Sequence, residues 1–518
     1  MSTHSGIFTL PRDVSVIALA QTLGGGVDGD ADSVCRAVVA PRMRARRELL
    51  DTFDWRLHGA RLMLEWQHGA HGAMLRLWPL AALDAPLEFA AAERPRLLAD
   101  LPAASLRRRL ARVLDVRALR VQCAQAGVLE RVDLIDARDK VVARLELWRA
   151  PRARTLLARV VPVRGFASQA RRVADCLAAI PGAVAVAHDP IWVQAQRLPV
   201  PPGGYPSWAA THIDASMRAD DGVQQVLHHY ARIMTLNIAG AREHLDPEFV
   251  HDFRVGLRRS RTLLRRMPGI FPTARLRPHL DDLAWLGHET TITRDADVHA
   301  LVLPDYAAAI SDPALAGMLA PVWERVRQDR HAAHHRLTAL LDSAHFQRRW
   351  AAWLRFLDRP MPRASRQSNG PRPLREVAAQ ALVQAARKIR RAGSRIEPHS
   401  PAEAYHSIRK NCKTLRYLID AFGNIIDVES LREAMRRLKA LQDLLGEHQD
   451  LDVHRGALMA LYDASVRDGQ IGVHGHAAMQ LLLAELHARA GAARARFADE
   501  FAAFLAVKLE RALRVTPR

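Results

Sequence analysis

The segment Val250–Met267, VHDFRVGLRRSRTLLRRM, carries six arginines behind one histidine. Arginine presents planar, paired N–H donors that match phosphate oxygens. Protonated histidine donates two more hydrogen bonds, and a nearby polyanion favours that form. At about 100° per residue, a helix brings His251, Arg254, Arg258, Arg261 and Arg265 into one arc of about 80°. Val250, Phe253, Leu257 and Leu264 fall on the adjoining face, so a stripe fit for burial borders a cationic one. Arg259 and Arg266 fall away from the centre of the stripe. One cation per turn over about 15 Å suits an extended anion with many phosphates better than a single carboxylate.

The pattern occurs twice. An offset of 155 residues carries His251, Arg254, Arg258 and Arg261 onto His406, Arg409, Lys413 and Arg416. The same offset carries Arg232 onto Arg387, and Asp295, Asp297, Val298 and His299 onto Asp450, Asp452, Val453 and His454. Between these anchors LGHE (Leu286–Glu289) answers LGEH (Leu445–His448) with a four-residue slip. Nine matches in one order and of one chemical type imply two copies of a helical unit, packed with approximate twofold symmetry. Ile408, Cys412 and Ile419 supply the apolar face of the second copy.

Other chemistry is less well supported. Asp295 and Asp450 suit helix N-caps, or carboxylates that orient the basic residues. His288, His299, His448 and His454, near Asp295, Asp450 and Asp452, are of a type that binds divalent metals, but no HExxH or comparable spacing accompanies them. No GxxxxGK[ST] loop occurs. GGGVDGDADS (Gly24–Ser33) reads as a flexible acidic loop without the glutamate an EF-hand requires. No catalytic residue, metal or cofactor is therefore assigned.

The formal charge is +20, which calls for a polyanionic partner: inorganic polyphosphate, nucleic acid or an anionic membrane. An arginine-rich composition accounts for part of that charge. The stripe has no interleaved aromatic residues for base stacking, which places nucleic acid behind polyphosphate. Cys35, Cys123, Cys176 and Cys412 are scattered, with no CxxC pair, as in a reducing compartment. The N-terminal stretch has no basic leader before its apolar run, and no uncharged run approaches the roughly 20 residues of a membrane span. A cytoplasmic protein is the expectation.

The Pro/Gly-rich RLPVPPGGYPSW (Arg197–Trp208) and DRPMPRASRQSNGPRP (Asp358–Pro373) divide the chain. Residues 1–197 mix hairpin-like alternation with a helix over Ser168–Gly182, an α+β antiparallel pattern. In the former, Val132 and Leu134, then Val141, Ala143, Leu145 and Leu147, flank the turn ARDK. A linker at 198–219 leads to helices over 220–358. A second linker at 359–373 leads to helices over 374–518, with apolar spacings of three and four throughout.

DPEFVHDFRVGLRRSRTLLRRM, then LG…RDADV, then YHSIRKNCKTLRYLIDAFG and LKALQDLLGEHQDLDV, together resemble the CHAD family over roughly residues 220–518. The resemblance implies two pseudo-symmetric four-helix bundles with a basic surface and a central cleft that binds inorganic polyphosphate. It places His251, Arg254, Arg258, Arg261, His406, Arg409, Lys413 and Arg416 on that surface, and Lys439 at a further basic position. Such units often follow a CYTH domain, the triphosphate-tunnel fold, and LLDTFDWRLHGARLMLEW (Leu49–Trp66) with VVARLELW resembles a degraded one. The ExExK signature expected near its start is absent from GIFTLPRDVSVIAL, so Mg²⁺-dependent hydrolysis lacks its glutamates at that motif. The expectation is a mainly α protein that binds polyphosphate without catalysis, with polyphosphate granules as its location. A metal-dependent tri- or polyphosphate hydrolase and a nucleic-acid binder are the alternatives.

Overall fold

The computed structural model describes residues 6–24, 36–70, 72–80, 85–187, 189–209, 213–359, 369–397, 400–425 and 428–507, with backbone alone for 428–431. The loop Gly24–Ser33 beyond Gly24, most of the 359–373 linker and the C-terminal end of the 374–518 span lie outside these residues. The chain forms two compact units, Met1–Tyr205 and Pro206–Arg518.

The first unit is built on one antiparallel sheet. Its strands are β1 (Ile7–Pro11), β2 (Arg36–Val39), β3 (Met43–Asp51), β4 (Leu62–Gly69), β5 (Gly72–Pro79), β6 (Leu87–Ala90), β7 (Arg120–Ile135), β8 (Val141–Arg149), β9 (Thr155–Pro162) and β10 (Val184–Ala185). The order is β10-β1-β9-β8-β7-β3-β4-β5-β6, and β2 also pairs with β7. The β7–β8 hairpin closes at the ARDK turn, where the Asp136 carboxylate accepts from the backbone N–H groups of Arg138 and Lys140. Helices α1 (Val16–Gly24), α2 (Arg56–Gly59), α3 (Ala104–Leu114), α4 (Ala167–Ala178) and α5 (Ile191–Ala195) complete the unit.

Alternation along the strands assigns the two faces. Leu145 and Leu147 of β8, with Leu156, Ala158 and Val160 of β9, pack with α1 and α4. Leu64, Leu75 and Leu77 pack with α3. The intervening positions carry Glu65, Arg76, Glu146 and Arg159, all buried. Arg159 on β9 meets Glu65 on β4 at 3.2 Å, although four strand spacings, about 19 Å in a flat sheet, separate those strands. Arg76 on β5 meets Glu146 on β8 at 2.9 Å. The sheet therefore curls around a charged interior.

The second unit is helical: α6 (Ala219–Arg242), α7 (Pro247–Arg266), α8 (Thr273–Tyr306), α9 (Pro313–Gly317), α10 (Ala320–Asp342), α11 (Ala344–Asp358), α12 (Leu374–Gly393), α13 (Ala402–Phe422), α14 (Val428–Arg467), α15 (Val473–Ala495) and α16 (Phe497–Ala506). Helices α6, α7, α8 and α10 pack in succession, as do α12, α13, α14 and α15. The starts of α12, α13 and α14 follow those of α6, α7 and α8 by the same 155 residues that relate the two basic stripes. Helix α6 packs on α12, α7 on α13 and α8 on α14.

Helix α7 starts where its sequence dictates. Asp246 caps it by accepting from the Glu248 N–H, and Pro247 occupies the first turn. Arg265 and Arg266 end it, where cations complement the helix dipole. Gly240 on α6 lies against Phe249 of α7 with no room for a Cβ, so glycine sets how closely these two helices approach.

Candidate functional site

Helices α7 and α13 border a cleft of about 440 Å³. Arg258, Arg261, Thr262, Arg265 and Arg266 line it from α7, and Lys410, Lys413, Thr414 and Tyr417 from α13. The apolar faces of both helices turn the other way: Phe253, Leu257 and Leu264 are buried, as are Ile408, Cys412 and Ile419. Burial pushes the Cys412 thiol up to about 12, which makes it a core residue rather than a reactive one. Among the described residues, no carboxylate oxygen comes within 4.0 Å of the six cationic groups in the cleft.

These cations press on one another. The Lys413 ammonium is pushed down to about 8, by burial first and then by Arg409 and Arg258. Arg254, largely buried, is pushed down to about 10, by burial and then by Arg258. Burial and Arg265 lower Arg261. A depressed cation is one whose charge finds too little compensation, so an anion entering the cleft relieves a standing repulsion.

Equivalent arginines of the two stripes are held differently. Arg254 Nη1 donates to Gly287 O at 2.8 Å, Thr290 Oγ1 at 2.9 Å and Thr291 Oγ1 at 3.0 Å, all neutral acceptors on α8. Its orientation is fixed by neutral groups, and the favourable charge of Asp295 does not offset burial and Arg258. Arg409 Nη2 instead donates to Asp450 Oδ1 at 2.9 Å. The glycine of the first LG pair makes room for a stripe arginine, whereas that of the second leaves only ordinary contact. A Cβ on Gly287 would stand 2.9 Å from Arg261 Nη1, and one on Gly446 would stand 3.7 Å from Arg409 Nη2.

Of the residues expected at the site, Arg258, Arg261, Arg265 and Lys413 meet in the cleft. Arg254 and Arg409 stand behind them, as neighbours of Arg258 and Lys413. Arg416 is half-buried on α13 and Arg387 half-buried on α12, both outside the lining. Arg232 is exposed on α6 beside His229. Lys439 is exposed on α14 and pairs with Asp443 at 2.6 Å. His406 Nδ1 shares a hydrogen bond with Gln449 Oε1 at 2.7 Å. His251 lies near Glu248 and Asp252, with ligand-type atoms of all three within 4.8 Å of one another. Arg294 stands 3.8 Å from that Glu248, so a cation is already present. Of the histidines considered as metal ligands, His299 and His454 face each other at 6.2 Å between α8 and α14, both lowered by burial.

Two readings need correction. Asp295 and Asp450 are not N-caps: they lie inside α8 and α14, which run through without a break. Arg266, expected away from the stripe, lines the cleft, because its long stem leaves the last residue of α7. Arg259 points into the unit, 7% exposed, with Trp208, Tyr230 and Tyr417 rings within 6 Å. It donates to Asp420 Oδ2 at 2.8 Å. Asp420 stands where the repeat would put a partner for Arg265, so the second copy has exchanged a cleft cation for a counter-ion that ties α13 to α7.

In the first unit the interior carboxylates were not foreseen. Asp189, preceding α5, accepts from Arg47 at 2.7 and 2.9 Å and also from Arg159. Burial alone would raise the Asp189 carboxyl, but Arg47 and Arg159 hold it well below the usual carboxylate range. Trp148 lies under Arg47 and Trp78 under Arg159. Glu65 pairs with Arg159 and Glu146 with Arg76. Carboxylates committed to guanidinium partners do not offer the free oxygens a divalent cation needs, so this interior does not fit a resident metal.

Residues 225–459 match the family model of the CHAD domain, and that part of the chain is a CHAD domain. The crystal structure of the CHAD domain from the plant Ricinus communis is similar at 23% identity and TM-score 0.44, over 60% of this chain and 96% of that one. PptA from Streptomyces chartreusis is similar at 18% identity and TM-score 0.43, over 55% of this chain and 100% of that one. No curated protein matches. Among the described residues, no helix is long and apolar enough to cross a membrane.

Proposed function

We propose that the helical unit binds inorganic polyphosphate in the cleft between α7 and α13, without catalysis. Six cations facing one cavity, with no carboxylate at ion-pair distance among the described residues, carry this reading. A protein that only needed solubility would intersperse both signs of charge. Guanidinium groups spaced by single helical turns match an anion that repeats its charge along its length. The matched starts of α6–α8 and α12–α14, and the packing of each on its counterpart, support two pseudo-symmetric four-helix bundles with the cleft on their shared face.

The first unit reads as a CYTH-like sheet domain that has lost hydrolysis. Among the described residues the interior carboxylates Glu65, Glu146 and Asp189 pair with guanidinium groups, which argues against their holding the metal that tri- or polyphosphate hydrolysis would use. A polyphosphate binder of this kind belongs at polyphosphate granules in the cytoplasm. Nucleic acid is the weaker candidate, because Tyr417 is the only aromatic side chain lining the cleft among the described residues.

Titration of the full chain with long-chain polyphosphate and with single-stranded DNA at fixed salt tests the proposal. Tighter binding of polyphosphate is expected. Equal or tighter binding of DNA would overturn it.

A further inference from the structure

The chain carries 75 basic residues, yet only six are lysines: Lys140, Lys388, Lys410, Lys413, Lys439 and Lys508. Two of the six line the cleft. Charge alone does not call for lysine there, because arginine is the stronger phosphate partner and supplies the other four cations of the lining. Lysine differs in one respect: its amine becomes a nucleophile once it loses a proton, which arginine does not do at neutral pH.

Lys413 is placed for that loss. It is half-buried on α13, with Arg409 beside it on the same helix and Arg258 facing it from α7. Asp450 on α14 opposes these two, and Arg409 holds that carboxylate at 2.9 Å. Arg261, Arg265 and Arg266 line the same cavity. With the ammonium at about 8, roughly a tenth of it is free amine at pH 7.

We infer that Lys413 is an acylation site for small acyl phosphates, whose phosphate the cleft arginines seat beside the amine. This rests on the reading of the cleft as a phosphate site. The neutral Nζ donates its lone pair to the carbonyl carbon, and a C–N bond forms. The C–O bond to phosphorus's oxygen breaks, and that oxygen leaves with the electron pair as inorganic phosphate, stabilised by the guanidinium groups. The second amine proton passes to solvent. The products are an amide and phosphate, with nothing oxidised or reduced. Holding both partners in one cavity supplies the rate advantage. The amide bears no charge and fills part of the cleft, so acylation lowers the affinity for polyphosphate.

The test incubates the full chain with acetyl phosphate at pH 8 and follows acetylation of each lysine by peptide mass spectrometry. Lys413 is expected to react at least about tenfold faster than exposed Lys140, Lys388 and Lys439. Excess inorganic phosphate should suppress Lys413, and Lys410 on the same cavity, and leave Lys140, Lys388 and Lys439 unchanged. An acyl donor without phosphate, the acetyl ester of N-hydroxysuccinimide, should show a smaller preference for Lys413 over Lys140, because the arginines have no phosphate to seat. A Lys413 rate no greater than that of Lys140, or one indifferent to phosphate, would overturn the inference. Polyphosphate binding by the unmodified protein is measured alongside. Binding without Lys413 acetylation sinks this inference alone, and failure to bind sinks the reading of the cleft beneath it.

Discussion

Replacing Arg261 and Arg265 together by glutamine removes two of the six cleft cations and leaves the core intact, because both line the cavity rather than the apolar face. Each phosphate neutralised on a single-stranded polyanion contributes about −0.7 to the slope of log K against log salt. Six contacts predict a slope of about −4, and four predict about −3. A hydrogen bond to a charged group contributes about 1.5 kcal/mol at the low end, suited to an open cleft. Two such losses weaken binding by about 100-fold near 0.1 M salt. Fluorescence anisotropy of end-labelled long-chain polyphosphate, titrated at four sodium chloride concentrations, measures both quantities. Arg232→Gln is the control, since that arginine is exposed on α6 outside the lining. An unchanged slope in the double variant, or an equal fall in Arg232→Gln, would refute the assignment of the cleft.

Further expectations concern pH and stability. Lys413 sits at about 8 in the free protein, and a bound polyanion raises it again, so binding takes up a proton. Affinity should hold below pH 8 and fall above it, by at most about tenfold per pH unit. Lys413→Arg should flatten that profile, as isothermal titration at pH 7, 8 and 9 would show. Arg259→Gln strands Asp420 and should cost the helical unit about 3 kcal/mol in chemical denaturation. A loss under about 0.5 kcal/mol would remove Arg259 as the tie between α7 and α13. Asp189→Asn should destabilise the sheet unit by about 3 kcal/mol, followed by tryptophan fluorescence. Because Asp189 is held below its usual range, its stabilisation is present above the unfolded value near 4 and fades as pH falls toward the folded one. The asparagine variant should lose that acid sensitivity.

The helices and the cationic face of α7 were legible because their signals are local. Apolar residues at spacings of three and four mark a buried side, and His251, Arg254, Arg258 and Arg261 sit on the other. The 155-residue offset brought the second stripe into view for the same reason. A helical wheel does not say which helix lies opposite, so Lys410, Thr414 and Tyr417 gave no signal as cleft residues. It also places Cα directions rather than guanidinium tips, which is why Arg266 was set aside. Asp295 and Asp450 resembled caps because the continuity of α8 and α14 comes from tertiary packing. In the sheet unit, Glu65, Arg76, Glu146 and Arg159 show only as charged interruptions in apolar alternation. Their pairing depends on which strands the curl brings together, and Asp189 reaches them from a loop.

The most direct test of the cleft is arginine footprinting with phenylglyoxal, with and without long-chain polyphosphate, read out by peptide mass spectrometry. Polyphosphate should protect Arg258, Arg261, Arg265 and Arg266 and leave Arg232 and Arg242 as reactive as before. Equal reactivity with and without polyphosphate at the four cleft arginines, or protection confined to other arginines, would contradict polyphosphate binding between α7 and α13.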